Sequence, residues 1–461
     1  MINWKKTANS YQKDYLNDLK QLIAIDSERD DAHRSEQYPL GPGPAKALKK
    51  YLEFGKRDGF KTENLDNTVG YIEYGIGNQT MAIQAHADVM PAGNGWKTNP
   101  FKMIEKNGNI YGRGTSDDKG PGLAAYYGLK MLKDHGIKPH CKIRFIIGTD
   151  EESDWTGMKH YFDVEPAPNF GFSPDAEFPL INGEKGISSF QIKFGRGGND
   201  NSQLISFHSG LRDNMVPAEA TAAVKSNDFK SLSDQFSKFL DHNPIHGETK
   251  NDNGQIQFKV NGKAAHGMAP QNGVNAGTYL AKFLNQYVND NSNFLDFITK
   301  FLHLDFLGQH LNLNHHDDTM GDLTINPGIM NFDVKNGGLI VVNIRYPKGI
   351  DIQTINSRLN QYANNNAVVK LDNMNPHYVD PKDPVVTKLM HAYRTQTGRN
   401  DQPKVVGGGT YARMMSRGVA FGALCSWKTP STMHQPNEFQ PISDLMLAMS
   451  IYGQSIYELT K

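Results

Sequence analysis

The sequence predicts an α/β layered domain that is split along the chain and carries an inserted α+β domain. Three observations predict it. A strand, a helix and a second strand follow one another between residues 80 and 149. Near residue 183 the texture changes to alternating strands separated by Asn-rich helical segments. After residue 379 the chain returns to a helix, a short strand, a Gly-rich loop, a strand and a last helix. The expected division is therefore 1–182 and 379–461 for the split domain and 183–378 for the insert.

Each element has a local reason. Residues 10–25 place Tyr15, Leu16, Leu19 and Leu22 on one side at helical spacing. "TVGYIEYG" (68–75) and "TMAIQAHADVM" (80–90) read as strands. The second is nearly all apolar before His86, as expected of a strand covered on both faces. "GPGLAAYYGLKMLKDHG" (120–136) repeats Leu123, Tyr126, Tyr127, Met131 and Leu132 helically, with Gly136 as a stop. "CKIRFIIGT" (141–149) is a further buried strand, and the succession is βαβ grammar. In the insert, 255–267 and 337–347 alternate as strands, and 274–303 and 350–365 read as helices. Segments 380–398 and 441–459 are the helices of the returning domain.

Composition excludes several functions. The chain has 461 residues, and Lys plus Arg balance Asp plus Glu at 49 each. With no excess positive charge, neither a nucleic-acid nor an anionic-membrane partner is expected. No apolar run is long enough to span a bilayer. The first 25 residues are polar and charged, without the apolar core of a signal peptide. Cys141 and Cys425 are far apart and read as buried thiols, which fits a cytoplasmic protein.

The chemistry collects in five segments. "QAHADVM" holds His86 and Asp88, "YGRGTSDDKGPG" holds Asp117 and Asp118, and "GTDEES" holds Asp150, Glu151 and Glu152. "FSPDAEFP" holds Asp175 and "STMHQPNEF" holds His434. A single carboxylate at a strand end is commonly a helix cap or a turn residue. Several carboxylates together with two histidines would repel unless a cation neutralised them. Imidazole with carboxylate suits zinc, with manganese or cobalt as alternatives. Cysteine is absent from all five segments, so a structural zinc finger is not expected.

These motifs, in this order, resemble the co-catalytic dinuclear metallopeptidases that include aminoacylases, glutamate carboxypeptidases, desuccinylases and carnosinases. Within that family the likeness is strongest to bacterial Xaa-His dipeptidases, and it covers essentially the whole chain. The resemblance implies a mixed-sheet α/β/α metallopeptidase catalytic domain with the insert as its lid. It implies two divalent ions, most readily Zn2+. His86 and Asp175 would hold one ion, Glu152 and His434 the other, and Asp117 would bridge both. Asp88 would orient His86. Glu151 would bind no ion and would move the proton of a metal-bridging water to the leaving amine. Relatives often have a cis peptide after the bridging aspartate.

In the insert, the resemblance implies that His266 and Asn214 contact the tetrahedral intermediate and Arg345 the substrate carboxylate. Read alone, a lone Arg or His there is more often a surface or cap residue. "VVGGGTYARMM" reads as a Gly-rich loop opening a helix, with Gly408, Gly409 and Thr410 helping to hold the carboxylate. It lacks the Walker lysine and the dinucleotide spacing. His303, His310, His315 and His316 read as solvated surface histidines, and Met414 and Met415 as core.

The expected activity is dipeptide hydrolysis on small peptides with a free N-terminus. An N-acyl-amino-acid amidohydrolase and a silent metal- and peptide-binding relative are the alternatives, and Glu151 argues against the latter. The insert's length, near that of two small layers, predicts that one lobe stands in for a partner subunit and that the protein is a monomer.

Overall fold

The structure is a computed structural model and describes residues 2–196, 202–252, 254–290 and 292–461. The chain forms two compact units. The first comprises Met1–Gly183, Tyr378–Lys404 and Gly409–Lys461, and the second Glu184–His377 and Val405–Gly408.

The first unit is built on a mixed sheet. Its strands run in the order Lys61–Leu65, Val69–Tyr74, Lys142–Gly148, Thr80–His86, Phe170–Ser173, Gly418–Ala420 and Ile181–Glu184. The middle strands are parallel: Thr80–His86 lies beside both Lys142–Gly148 and Phe170–Ser173. Every residue of Thr80–His86 is buried, which is why its sequence shows no polar alternation. Helices Pro42–Arg57, Lys119–Asp134 and Ile442–Thr460 complete the layers, and the last packs along the second of them. Their apolar faces join the strands in one cluster, with Leu48, Tyr51, Leu123, Tyr127, Phe145, Phe172, Leu445 and Tyr452 fully buried.

The register of the parallel strands sets up the site. His86 pairs with Gly148, so both strands end at the same level. The loops that follow them, and the loop after Ser173, therefore leave the same carboxyl edge of the sheet. In open α/β sheets that edge is where ligands bind.

The second unit is one eight-stranded sheet. Its order is His246–Asp252, Gln255–Asn261, Glu219–Lys225, Leu204–Ser209, Thr324–Asp333, Gly337–Tyr346, Gly186–Phe194 and Ala367–Lys370. All pairings are antiparallel. Helices Phe229–Asp241, Ala276–Tyr287 and Ile352–Ala363 cover it, and a single apolar cluster links them to the strands. The two lobes expected from length share one sheet and one core.

Several elements differ in extent from the sequence reading. The first helix is two, Trp4–Ser10 and Gln12–Ile23, because Tyr11 N–H turns back to Ala8 O at 3.0 Å. The helix expected over 274–303 stops at Tyr287 and restarts at Phe294. Between them the Asp290 carboxylate accepts from the backbone N–H groups of Ser292, Asn293 and Leu295, a cap that favours a new start. His303 is buried against Tyr279 (ring centroids 4.8 Å apart), correcting its surface reading. Burial pushes its pKa down to about 4, so it packs as a neutral ring. His310 and His316 are exposed.

Candidate metal centre and active site

Asp117 stands at the centre of the cluster in the first unit. Its Oδ1 lies 3.1 Å from His86 Nε2 and its Oδ2 lies 2.8 Å from His434 Nε2. Each imidazole nitrogen also faces a second carboxylate. His86 Nε2 is 3.6 Å from Asp175 Oδ2, and His434 Nε2 is 3.2 Å from Glu152 Oε1. Two donor sets thus share one carboxylate. His86, Asp117 and Glu152 have ligand atoms within 4.8 Å of one another, as do His86, Glu151 and Asp175. Glu151 therefore lies within reach of the His86–Asp175 pair.

Each side chain arrives by a nameable route. His86 ends its strand, and its Nδ1 faces Asp88 twice, the backbone O at 3.1 Å and Oδ1 at 3.4 Å. Asp88 Oδ2 accepts from Glu152 N–H at 3.1 Å and so ties the first loop to the second. Asp150 accepts from Thr156 and Gly157 N–H groups, which anchors the turn holding Glu151 and Glu152. Asp117 precedes helix Lys119–Asp134 through a cis peptide to Asp118. Gly114, two residues after Gly112, adopts a φ of 90°, a conformation that favours glycine. A Cβ on Gly120 would meet Thr115 O at 2.1 Å, so the helix start can close on the loop only with glycine there.

The electrostatics argue for a cation. Burial pushes up Glu151, Glu152 (to about 7) and Asp175, and Asp117 adds to this in all three. Asp117 itself is held below the usual range: burial opposes its charge, but hydrogen bonds from His434 and His86 outweigh that. His434 is raised to about 11; burial works against its charge, and Asp117 and Glu152 overcome it. One set of imidazoles cannot keep four clustered carboxylates ionised. Divalent cations would, and the donors suit them, being imidazole and carboxylate only.

Three residues of this unit escaped the sequence reading. Glu438 is fully buried and accepts from the Asp117 loop. Arg113, also buried, pairs with it at 2.8 Å. Lys119 donates to Leu22 O and Ile25 O, and burial pushes its pKa down to about 7. A glutamate between Asn437 and Phe439, and charged residues inside a Gly-rich run, were the available signals.

In the second unit, the structure brings Asn214 and His266 together. Met215 bridges His266, and Gly267 N–H donates to Asn214 O at 2.7 Å. Met268 N–H donates to His266 Nδ1 at 3.1 Å, so a neutral ring carries its proton on Nε2. Arg345 is buried; its Nε donates to Asn343 Oδ1 at 2.8 Å and its Nη1 to Gly407 O at 2.9 Å. Gly408 belongs to this unit, whereas Gly409 and Thr410 belong to the first. The expected helix after the Gly-rich loop is a single 3₁₀ turn, Tyr411–Met414, with the Thr410 hydroxyl accepting from Ala412 N–H. Four residues build no useful dipole, which removes the physical basis for an anion-binding helix start there. Met415 is core and Met414 half-buried.

A mixed sheet with imidazoles and carboxylates converging at the carboxyl edge of its parallel strands is the frame of a metal-dependent hydrolase. Comparison with known proteins narrows the class. Residues 82–458 match the model of peptidase family M20/M25/M40. The chain is 45% identical over 466 residues to a Staphylococcus aureus (strain bovine RF122 / ET3-1) protein provisionally named a dipeptidase, covering 99% of each. It is similar to the structure of human carnosine dipeptidase 1, with a TM-score of 0.60, 15% identity and coverage of 99% and 98% of the two chains. A di-peptidase structure from Saccharomyces cerevisiae gives a TM-score of 0.59 at 14% identity, covering 99% of this chain and 98% of that one. At those identities the two structures speak for the fold alone. The chain belongs to peptidase family M20/M25/M40 and is a peptidase. Among the described residues, no helix is long and apolar enough to cross a membrane.

Proposed function

We propose that this protein is a dinuclear, metal-dependent dipeptidase acting on small peptides with a free N-terminus. The observation that carries the reading is the division of Asp117 between His86 and His434, each facing a second carboxylate. His86 with Asp175 would hold one ion and His434 with Glu152 the other, Asp117 serving both. When bound, divalent ions such as Zn2+ acidify water and offset the negative charge that develops on the scissile carbonyl oxygen.

The chain's own residues do the rest. Glu151 takes the proton of the attacking water and delivers it to the leaving amine. Burial raises its pKa, which suits a group that must hold the proton between the two steps. Asp88 holds the His86 ring through Nδ1, leaving Nε2 for the ion. His266, protonated on Nε2 by the hydrogen bond at Nδ1, donates to the oxyanion, with Asn214 beside it. Arg345 takes the substrate carboxylate, its guanidinium set by Asn343 and Gly407. A monomer with all these groups in one chain, in the cytoplasm, is part of the same reading. The two buried free thiols, Cys141 and Cys425, suit a reducing compartment.

The dipeptide preference is supported by the relative of 45% identity, which carries a dipeptidase name over its full length. The test is a hydrolysis panel of dipeptides, tripeptides and N-acetyl amino acids on metal-reconstituted protein. Turnover of free dipeptides above the others is expected. Preference for N-acetyl amino acids would replace this reading with an amidohydrolase.

A further inference from the structure

We propose that Glu438 is a positioning residue that sets the distance between Asp117 and His434 and thereby the affinity for metal. This rests on the reading of Asp117 and His434 as ligands. The two residues are far apart in the sequence, so chain connectivity does not fix their separation. Glu438 does so from both sides.

On one side, its carboxylate accepts five hydrogen bonds from the Asp117 loop. Oε1 accepts from Ser116 N at 2.7 Å, Ser116 Oγ at 2.9 Å and Asp117 N at 3.2 Å. Oε2 accepts from Arg113 Nη1 at 2.8 Å and Gly114 N at 3.2 Å. The Glu438 carbonyl also accepts from Gly112 N–H at 3.1 Å. Residues 112–117 are thus wrapped around one buried side chain.

On the other side, Glu438 closes the loop that carries His434. His434 and Asn437 both adopt left-handed backbone, with φ of 64° and 63°. The Asn437 amide is pinned by Lys97 N–H at 2.8 Å and Gly95 O at 3.2 Å. Phe439 pairs with Tyr111 in antiparallel register, and their rings lie 5.5 Å apart. The loop from 434 to 438 is therefore short, anchored at its far end, and referenced to the Asp117 loop through a single carboxylate.

The chemistry demands a carboxylate. Both oxygens accept only, and each faces donors. A glutamine amide would turn its NH2 toward either the Ser116–Asp117 donors or the Arg113–Gly114 donors, and one set would be repelled. The displaced loop carries Asp117, which serves both donor sets, so both ions should be affected together. Removing a group that orients a metal ligand typically costs about 10- to 100-fold in affinity.

The probe is Co2+, titrated into metal-free protein and followed by its visible absorption. Glu438→Gln is compared with wild type, with Asp117→Asn, and with Glu73→Gln. Glu73 accepts from Arg144 Nε at 2.8 Å, and Arg144 lies toward the start of the strand that ends at Gly148, away from the carboxyl edge. Melting temperatures of the metal-free proteins are recorded alongside. The expected result is about 10- to 100-fold weaker Co2+ binding at both sites in Glu438→Gln, an altered absorption band, and wild-type affinity in Glu73→Gln. Wild-type affinity in Glu438→Gln overturns the proposal. So does equal weakening in both variants, because loss of stability would then suffice. Should Glu438→Gln fail to fold, Ser116→Ala removes one donor and leaves the buried charge; a several-fold loss of affinity supports the proposal, and none overturns it. Wild-type affinity in Asp117→Asn would instead sink the metal reading itself.

Discussion

His434 Nε2 and Asp117 Oδ2 lie 2.8 Å apart, while the other oxygen of Asp117 is committed to His86. One carboxylate thus joins the late histidine to the early one. If it serves two cations, Asp117→Asn should weaken both sites, because the amide offers only one good ligand atom. Asp118→Asn should leave occupancy largely intact. Asp118 is buried and its pKa is raised to about 8, so a neutral amide resembles its state near neutral pH. Elemental analysis of the two purified variants checks this. Metal loss in the second variant but not the first would mean the wrong aspartate carries the bridge.

Glu151→Gln should keep both ions and lose turnover by about 10²–10⁴-fold or more. The neighbouring Glu152 is the contrast, since its variant should lose metal. Glu151 lies within reach of the His86–Asp175 pair, so metal content must be measured beside the rate. Loss of metal together with activity would make Glu151 a ligand.

Metal uptake should release protons, and affinity should rise with pH. The sign follows from the metal-free groups. His434, raised to about 11, is protonated through the neutral range. Glu152, raised to about 7, ionises only as the pH passes that value. Both must be deprotonated to bind a cation, so acid competes and base helps. Calorimetric titrations in buffers of different ionisation enthalpy, between about pH 6 and 8, measure the protons released. Affinity that stays flat over that window contradicts the assignment of these ligands.

Arg345 can be tested through the substrate. A charge-assisted hydrogen bond is worth about 1.5–3 kcal/mol. Amidating the carboxylate of a dipeptide should therefore lower kcat/KM about 10-fold or more, and Arg345→Ala should do the same to the free acid. On the amidated peptide Arg345→Ala should add little. Additive losses would show that Arg345 acts elsewhere.

His266→Ala should lower kcat by an amount matching about 2.7–4 kcal/mol, the worth of an oxyanion donor, with little change in metal content. Mixing it with Glu151→Gln protein should restore nothing if each chain is complete in itself. Recovery in the mixture would show a site shared between chains and end the monomer reading.

The βαβ frame was legible because Thr80–His86 and Lys142–Gly148 are apolar throughout and the helix between them is periodic. The chemistry-bearing segments were legible because His86 and the Asp150–Glu152 loop both fall at strand ends. What stayed hidden depends on partners distant in sequence. Glu438 looked like any surface glutamate until the fold surrounded it with donors from residues 113–117. Helix Pro42–Arg57, capped by Gly41 with proline at its start, carries enough Lys and Gly to blur its apolar face. His303 reads as a surface residue in sequence because the aromatic contact that buries it comes from Tyr279. A 3₁₀ turn forms after Thr410 instead of a helix because a Gly-rich loop promises a helix only if enough residues follow before the next strand, and Gly418 begins one.

The split of the first unit around the second has a consequence for biosynthesis. A ribosome delivers His86, Asp117, Glu152 and Asp175 early, then the whole insert, and His434 only near the end. Until then Asp117 and Glu152 lack their second imidazole, and helix Lys119–Asp134 lacks Ile442–Thr460 against it. If His434 is a metal ligand, as proposed, hydrolytic competence would await the segment that carries it. A premature stop before His434 would then yield a silent product instead of an unregulated one.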